Sequence, residues 1–380
     1  MRILHIASFQ GNIGDRANHI GFRPWFERLI GEAIEWLDLE IREVYRGNLS
    51  FRDSVKELAE TADLIIAGGG GFWELWPERN DYGNSLDFSP SFLEELDRPV
   101  FFNALGVDLG QGISHNALAR FPDFVDYLQR QKKYLVSVRN DGSMKNLVDL
   151  GCDVSDVWEI PDHAFFAFQD QLFESPEVGS TRLVVSLAVD MPEIRFRGGQ
   201  TRDSFLSRIA RLLEEVTREN DCLTVFVPHI YSDLSAIAEV LALSSDAVRR
   251  ERYRVAALET SQRDSLGFLK EYHEASAVAS MRFHGNVLGL ASGARTVALD
   301  TYPKVSGLAQ GLIPGALPAI SVNDSGFDES LIESLNRGLQ ENVGELRNSK
   351  KAYLDSLARQ RESFGRKLRS WVENHTGSLQ

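Results

Sequence analysis

Twice along this chain, short apolar runs alternate with longer amphipathic stretches, and no other feature restricts the fold so strongly. Such an alternation is the mark of βαβ units and a parallel sheet. In the first half the strand candidates are RILHIAS (2–8), EIREVY (40–45), DLIIAG (63–68), VFFNALGV (100–107), YLVSVR (134–139) and VWEIP (157–161), with helical patterns over 16–37 and 116–132. A polar, turn-rich stretch, FESPEVGST (173–181), interrupts the rhythm. It restarts with RLVVSLAV (182–189), CLTVFVPH (222–229), YRVAAL (253–258), ASAVASMRF (275–283), RTVALD (295–300) and AISV (319–322). Residues 327–373 read as helix, with no further strand.

At 380 residues the chain exceeds the size at which a single core keeps growing. The expectation is an α/β fold of two Rossmann-like domains with mostly parallel sheets, facing each other across a cleft. They cover residues 1–175 and 180–325, followed by a C-terminal helical segment over 327–373. In such sheets ligands sit at the carboxyl ends of the strands, so the chemistry is sought there.

Charge narrows the ligand. The 41 basic residues against 55 acidic ones give a net charge of −14. A general nucleic-acid binder carries a positive footprint, so that class is set aside. Any anionic ligand must be captured by a local cluster of Arg, Lys and backbone N–H groups. Cys152 and Cys222 match neither a disulfide framework nor a metal site and read as small buried residues. The first residues, MRILHIASF, run straight into a strand pattern, and no segment approaches the length of a membrane span. A cytoplasmic protein is expected.

Several strand ends carry candidate groups. The first runs into FQGNIGDRANH (9–19), where Gly11 and Gly14 allow close approach, Asn12 lies in the turn, and Asp15 is placed to cap the following helix. A plain strand-to-helix turn reads equally well. The third strand ends in GGGGFWELWPERNDYGN (68–84), a glycine run that includes Gly70, followed by Phe72, Trp73, Trp76 and Tyr82. Flat aromatic faces with polar edges suit sugar rings, so Trp73, Trp76 and Tyr82 are candidates for an acceptor-sugar platform, and a local hydrophobic cluster is the competing reading. SVRNDGS (137–143) sets Arg139 at a strand end and Asp141 at a helix start, and IPDHAF (160–165) brings Asp162 and His163. His163, beside Phe165 and Phe166, reads as a packed histidine.

In the second series His229 ends one strand, and SMRFHGN (280–286) follows another. If strand geometry persists, Arg282 and His284 share a face, and Gly285 permits a sharp turn into the next helix. A guanidinium binds carboxylate or phosphate bidentately, and an imidazole exchanges protons near neutral pH. Lys304, in ALDTYPKVSGL (298–308), follows the next strand. One site could therefore gather Arg139, Arg282, Lys304 and His284.

Taken together, NIGD, the glycine run after DLIIA, SVRNDGS, PDHA, SMRFHG and YPKVSGL resemble the polysaccharide pyruvyl transferase family over roughly residues 1–310. The resemblance implies a fold similar to two-domain GT-B glycosyltransferases. It implies transfer of the carboxyethylidene group of phosphoenolpyruvate to a sugar diol of a glycan or lipid-linked saccharide as a cyclic ketal, with release of phosphate. It further implies donor binding by Arg139, Arg282, His284 and Lys304, with His284 as general acid or phosphate ligand. From their positions rather than from the resemblance, Asp15 or Asp162 could serve as base for the acceptor hydroxyl, and Asn12, Gly70, Trp73, Trp76 and Tyr82 could bind the acceptor. No metal or cofactor is expected beyond the donor substrate, since no His/Cys/Asp cluster has metal-ligand spacing. Two departures, Arg16 after NIGD and the FWELWPERND loop, fall on the acceptor side.

Two other function classes compete with this reading. A glycosyltransferase on the same scaffold would use a nucleotide sugar and needs a ribose-binding carboxylate, for which no residue stands out. A binding protein without catalysis has no need of Arg282, His284 and Lys304 together. The tail SLARQRESFGRKLRSWVENH (356–375) is basic, with Leu357, Phe364, Leu368 and Trp371. It could lie on an anionic membrane face carrying a lipid-linked acceptor. A helix packed back on the domains is the favoured reading, and the oligomeric state is left open.

Overall fold

The structure, a computed structural model, describes residues 1–77, 82, 85–173, 181–261, 263–341 and 343–377. The chain divides into two compact units. The first comprises Met1–Phe9, Asn18–His163 and Ser356–Gln380, and the second comprises Gln10–Ala17 and Ala164–Asp355.

In the first unit the strands are β1 (Arg2–Ala7), β2 (Glu35–Glu40), β3 (Leu64–Gly68), β4 (Trp73–Glu74), β5 (Val100–Leu105), β6 (Val107–Asp108), β7 (Tyr134–Arg139) and β8 (Trp158–Ile160). Six of them form a sheet in the order β2-β1-β3-β5-β7-β8, and every pairing is parallel. β4 and β6 make a separate parallel pair. β3 and β5 are wholly buried, which is why they read as unbroken apolar runs. The order reverses between β1 and β3, so their carboxyl ends form the switch point where ligands of such sheets bind.

In the second unit the strands are β9 (Arg182–Ser186), β10 (Leu223–Phe226), β11 (Tyr253–Val255), β12 (Ala277–Ser280), β13 (Arg295–Asp300) and β14 (Ala319–Ser321). They also pair in parallel throughout, in the order β11-β10-β9-β12-β13-β14. Here the switch point lies between β9 and β12.

The structure corrects several expectations. The second strand is Glu35–Glu40, not 40–45; Ile41–Tyr45 is a short helix. β2 is an edge strand of mixed exposure, so EWLDLE lacks the apolar run that marks its neighbours. Glu40 ends it by accepting from the N–H of Arg42 at 2.9 Å and of Phe9 at 2.7 Å. The first helix stops at Ile30 rather than 37, because Gly31 takes φ 77° and closes it. Asp15 is not its cap: the Asn12 side chain accepts the Gly14 N–H at 2.8 Å instead.

The division of the chain is also less linear than expected. Residues 10–17 pack with the second unit, and the C-terminal residues do not form a body of their own. Helix Phe327–Gln340 buries Phe327, Leu331 and Leu335 in the core of the second unit. Helix Val343–Thr376 ends in the first unit, where Phe364, Leu368, Trp371 and Val372 pack with Ile3, Trp25 and Phe101. The apolar face that a membrane would take is therefore covered. Among the described residues no helix is long and apolar enough to cross a membrane. The expected linker falls mostly on 174–180, outside the described residues.

Candidate functional site

The switch point of the second unit holds most of the candidate donor groups. β12 ends at Ser280, and its hydroxyl accepts the Arg282 N–H at 3.1 Å while donating to the Arg282 carbonyl at 3.0 Å. Arg282 keeps extended backbone as the residue before helix Phe283–Ser292, and His284 lies in that helix's first turn. The two side chains are not neighbours on one strand face, as the spacing suggested; the turn brings both to one cavity. Gly285 has a different task from the one expected. A Cβ there would overlap the Ser280 hydroxyl and come 3.0 Å from the Tyr272 hydroxyl, so glycine lets the helix sit against the end of β12.

That cavity, of about 70 Å³, is lined by Asn12, Arg195, His229, Arg282, His284 and Lys304 among others. It is far below the usual ligand-pocket range of roughly 300–1,000 Å³ and has room for one small polar group. Residues 10–17 close one side. The Ile13 N–H donates to the His229 carbonyl at 3.1 Å, and Gly14 faces the His284 ring so closely that a Cβ would lie 2.5 Å from its Cγ. Arg16, the family departure, donates to the carbonyls of Glu259 (3.0 Å), Asp264 (2.6 Å) and Ser265 (2.8 Å), fixing that loop. Arg16 thus ties residues 10–17 to the rest of the second unit.

Both arginines of this cavity carry counter-charges. Arg282 pairs with Asp233 and, at 2.8 Å, with Asp190. Burial alone would lower its pKa, but the two carboxylates outweigh that and raise it. Arg195 reaches Asp190 at 3.4 Å, donates to the Thr301 hydroxyl at 3.1 Å and lies 5.2 Å from the Tyr302 ring centroid. The Lys304 ammonium lies 5.0 Å from the centroid of that ring. His229 shares a 2.8 Å hydrogen bond with the Tyr272 hydroxyl, and burial drives its pKa well below the ordinary value.

Sequence reading missed Arg195, Asp190, Asp233 and Tyr272. Asp190 and Arg195 could have been found by asking which charges follow β9, the other strand at the switch point.

The first unit carries its own constellation at the carboxyl ends of β3, β5 and β7. Arg139 is buried, with Nε on Asp141 at 2.5 Å and Nη1 3.7 Å from Asp162. Asp162 is fully buried and accepts from Asn18 Nδ2 at 3.1 Å. The glycines surrounding this group answer what passes close to them. A Cβ on Gly106 would sit 2.7 Å from the Arg139 guanidinium, one on Gly69 2.7 Å from Asn18 Oδ1, and one on Gly68 would overlap the Asn103 carbonyl. A bulge in β5, with Ala104 at φ 45°, aims Asn103 inward, where its Oδ1 meets His163 Nε2 at 2.9 Å. His163 packs against Phe22 and Trp25, and burial followed by the Arg361 charge lowers its pKa to about 3. It is the packed histidine that its neighbours indicated.

The aromatic platform is corrected in part. Trp73 is wholly buried, edge-on to Phe121 at 5.3 Å, and belongs to the core. Tyr82 packs on Phe124 at 5.4 Å, and Gly70 makes room for the Phe72 ring. Trp76 alone of the three aromatics is exposed, at 40%. Residues 78–81 and 83–84 of this loop lie outside the described residues. Cys152 and Cys222 are free and buried, as expected.

No curated protein matches the chain in sequence. Among solved structures it is similar to UDP-GlcNAc 2-epimerase from Methanocaldococcus jannaschii, at 12% identity and TM-score 0.55, over 90% of this chain and 94% of that one. A glycosyltransferase from Rickettsia africae gives 9% identity and TM-score 0.57 over 100% and 99% of the two chains. The Anabaena protein HepE, in complex with UDP and glucose, gives 13% and 0.51 over the whole of both. At such identities these likenesses establish a GT-B-like α/β fold and nothing more. The family model for polysaccharide pyruvyl transferase matches residues 4–302 of the 380. The chain therefore belongs to the polysaccharide pyruvyl transferase family and is a transferase.

Proposed function

We propose that the protein transfers the carboxyethylidene group of phosphoenolpyruvate to two hydroxyls of a sugar in a glycan or lipid-linked saccharide, closing a cyclic ketal. The observation that carries this reading is the small cavity of the second unit, where Arg195, Arg282, His284 and Lys304 converge at the switch point of a parallel sheet. Phosphoenolpyruvate presents a carboxylate and a phosphate, and guanidiniums grip either through paired hydrogen bonds. The resemblance assigns Arg139 to the donor as well.

In the reaction a proton adds to C3 of the donor, making the methyl group and leaving C2 electron-poor. One acceptor hydroxyl adds to C2, and a second then displaces the phosphate from the same carbon. One hydroxyl proton is thereby matched by the new C–H bond, and the other leaves with the phosphate. His284, at the cavity, delivers the C3 proton or holds the departing phosphate. Asp15, in the first turn of helix Ile13–Ile30 beside Gly14, is the better of the two candidate bases. Asp162 is engaged by Asn18 and Arg139 inside the first unit, which suits it to positioning that arginine.

The deciding experiment is a thermal-shift titration with phosphoenolpyruvate beside UDP- and GDP-sugars, followed by assay of phosphate release with lipid-linked saccharides. A ligand that binds the native state alone raises its melting midpoint. The expected result is a shift with phosphoenolpyruvate that Arg282→Ala abolishes. A shift with a nucleotide sugar and none with phosphoenolpyruvate overturns the reading in favour of glycosyl transfer.

A further inference from the structure

The arginine cluster of the second unit is already neutralised, and its two counter-ions are held very differently. The Asp233 side chain is 0% exposed. Besides Arg282 it accepts the N–H groups of His229 and Ile230 at 2.9 and 3.2 Å. It cannot leave without stranding those donors. Asp190 is 25% exposed and touches Arg282 Nη2 at 2.8 Å and Arg195 Nη2 at 3.4 Å, and its carboxylate takes a backbone hydrogen bond from its own N–H rather than from another segment of the chain. It sits just past β9, next to Met191, which is held at φ 56°, a conformation costly for a non-glycine residue.

Over Arg195, Arg282, Asp190 and Asp233 the formal charges cancel. An incoming anion gains these guanidiniums only where it displaces a carboxylate, and Asp190 is the one able to move. Burial pushes the Asp190 carboxyl up, but the two guanidiniums outweigh it and hold it below its usual range, so it stays ionised until displaced.

We propose that Asp190 is an internal stand-in for the donor, a carboxylate that covers Arg282 and Arg195 and yields only to a ligand carrying more than one negative group. This rests on the phosphoenolpyruvate reading and adds a specificity mechanism to it. A singly charged anion exchanges one ion pair for another and gains little. A molecule with both a carboxylate and a phosphate replaces Asp190 and still has a group left for further contacts. Asp190 is thus a specificity-determining residue and takes no part in proton transfer.

Calorimetric titration of wild type, Asp190→Asn and Asp190→Ser with phosphoenolpyruvate, pyruvate and inorganic phosphate tests the proposal. Removing the carboxylate should tighten phosphoenolpyruvate about tenfold. Pyruvate should tighten by a larger factor, so that discrimination between the two narrows. In steady state KM for the donor should fall without a rise in kcat, an outcome that a merely structural role does not produce. Binding of phosphoenolpyruvate by both variants no tighter than by wild type, at an unchanged melting midpoint, overturns the proposal alone. Wild-type protein that ignores phosphoenolpyruvate overturns the donor reading and the proposal with it.

Discussion

Gly14→Ala is the sharpest test of how residues 10–17 and His284 are built together. A Cβ at position 14 would overlap His284 Nδ1 and stand 2.5 Å from Cγ and 2.7 Å from Cβ of the same side chain. These atoms are the root of the ring, so a small tilt cannot relieve the clash; either the imidazole leaves its position or the turn lifts. Overpacking of that kind costs about 1–3 kcal/mol. Position 14 lies in the first turn of a helix, where exchanging glycine for alanine by itself returns roughly 0.5–1 kcal/mol. The net expectation is a loss of about 0–2.5 kcal/mol by urea denaturation, together with a fall in phosphate release that exceeds the loss of stability. Gly326→Ala is the control: a Cβ there meets nothing within 4 Å, so phosphate release should match wild type, and any loss of stability should stay within the ~1 kcal/mol of a poorer cap for helix Phe327–Gln340. A Gly14→Ala protein as stable and as active as wild type would show that this turn does not rest on His284 and would remove the link between the two.

Three further outcomes follow from the same geometry. Trp73→Ala should cost about 3–5 kcal/mol in denaturation as a core truncation, whereas Trp76→Ala should leave stability within ~0.5 kcal/mol and weaken only acceptor binding. Phe364→Ala in the basic tail should cost a similar ~3–5 kcal/mol, because the ring is fully buried between Phe101 and Trp158; an unaltered melting curve would contradict the packed-helix description. Finally, His163 has a folded pKa of about 3 against 6.5 when free. The unfolded chain therefore binds the extra proton, and stability that is complete above pH 6.5 falls as pH drops toward 3; at pH 5.5 the loss from this residue is on the order of 1 kcal/mol. His163→Gln should flatten the pH dependence of the denaturation midpoint over that interval, and an unchanged slope would count against the neutral buried imidazole.

The parallel sheets were legible because burial on both faces leaves a continuous apolar signature. LIIAG and AVAS are fully buried strands; the first was read to within one residue, and the second was found but drawn too long at both ends, as 275–283. β2 was misread for the converse reason: as an edge strand it carries glutamates and an aspartate that interrupt the run, while the preceding helical periodicity extends past Gly31 with nothing in composition to stop it. The glycine run was recognised as a place of close approach, but its partners are parts of the chain itself. Asn18 precedes Gly69 by some fifty residues and Arg139 follows Gly106 by about thirty, so only the folded sheet brings them together.

The candidate site shows where the reading of residue types ends. Arg282 and His284 announce themselves by lying next to a strand end, and nothing beyond local spacing is needed to notice them. Their counter-charges do not. Asp233 is 49 residues from Arg282 and Asp190 is 92, each on a different strand's loop. From the sequence the cluster looked like surplus positive charge waiting for an anion; in the fold Arg195 and Arg282 are balanced by two carboxylates, one fully buried and held by the N–H groups of His229 and Ile230, the other partly exposed and tied only to its own N–H. Surplus charge would predict capture of any anion at low ionic strength, whereas a balanced network predicts exchange and therefore selectivity for ligands of higher charge. Titrating the protein with pyruvate and phosphoenolpyruvate across a range of ionic strengths separates the two. Exchange requires the preference for phosphoenolpyruvate to survive in high salt, because the pairs being traded are desolvated, and a preference that disappears with screening would return Arg282 to the role of a simple electrostatic trap.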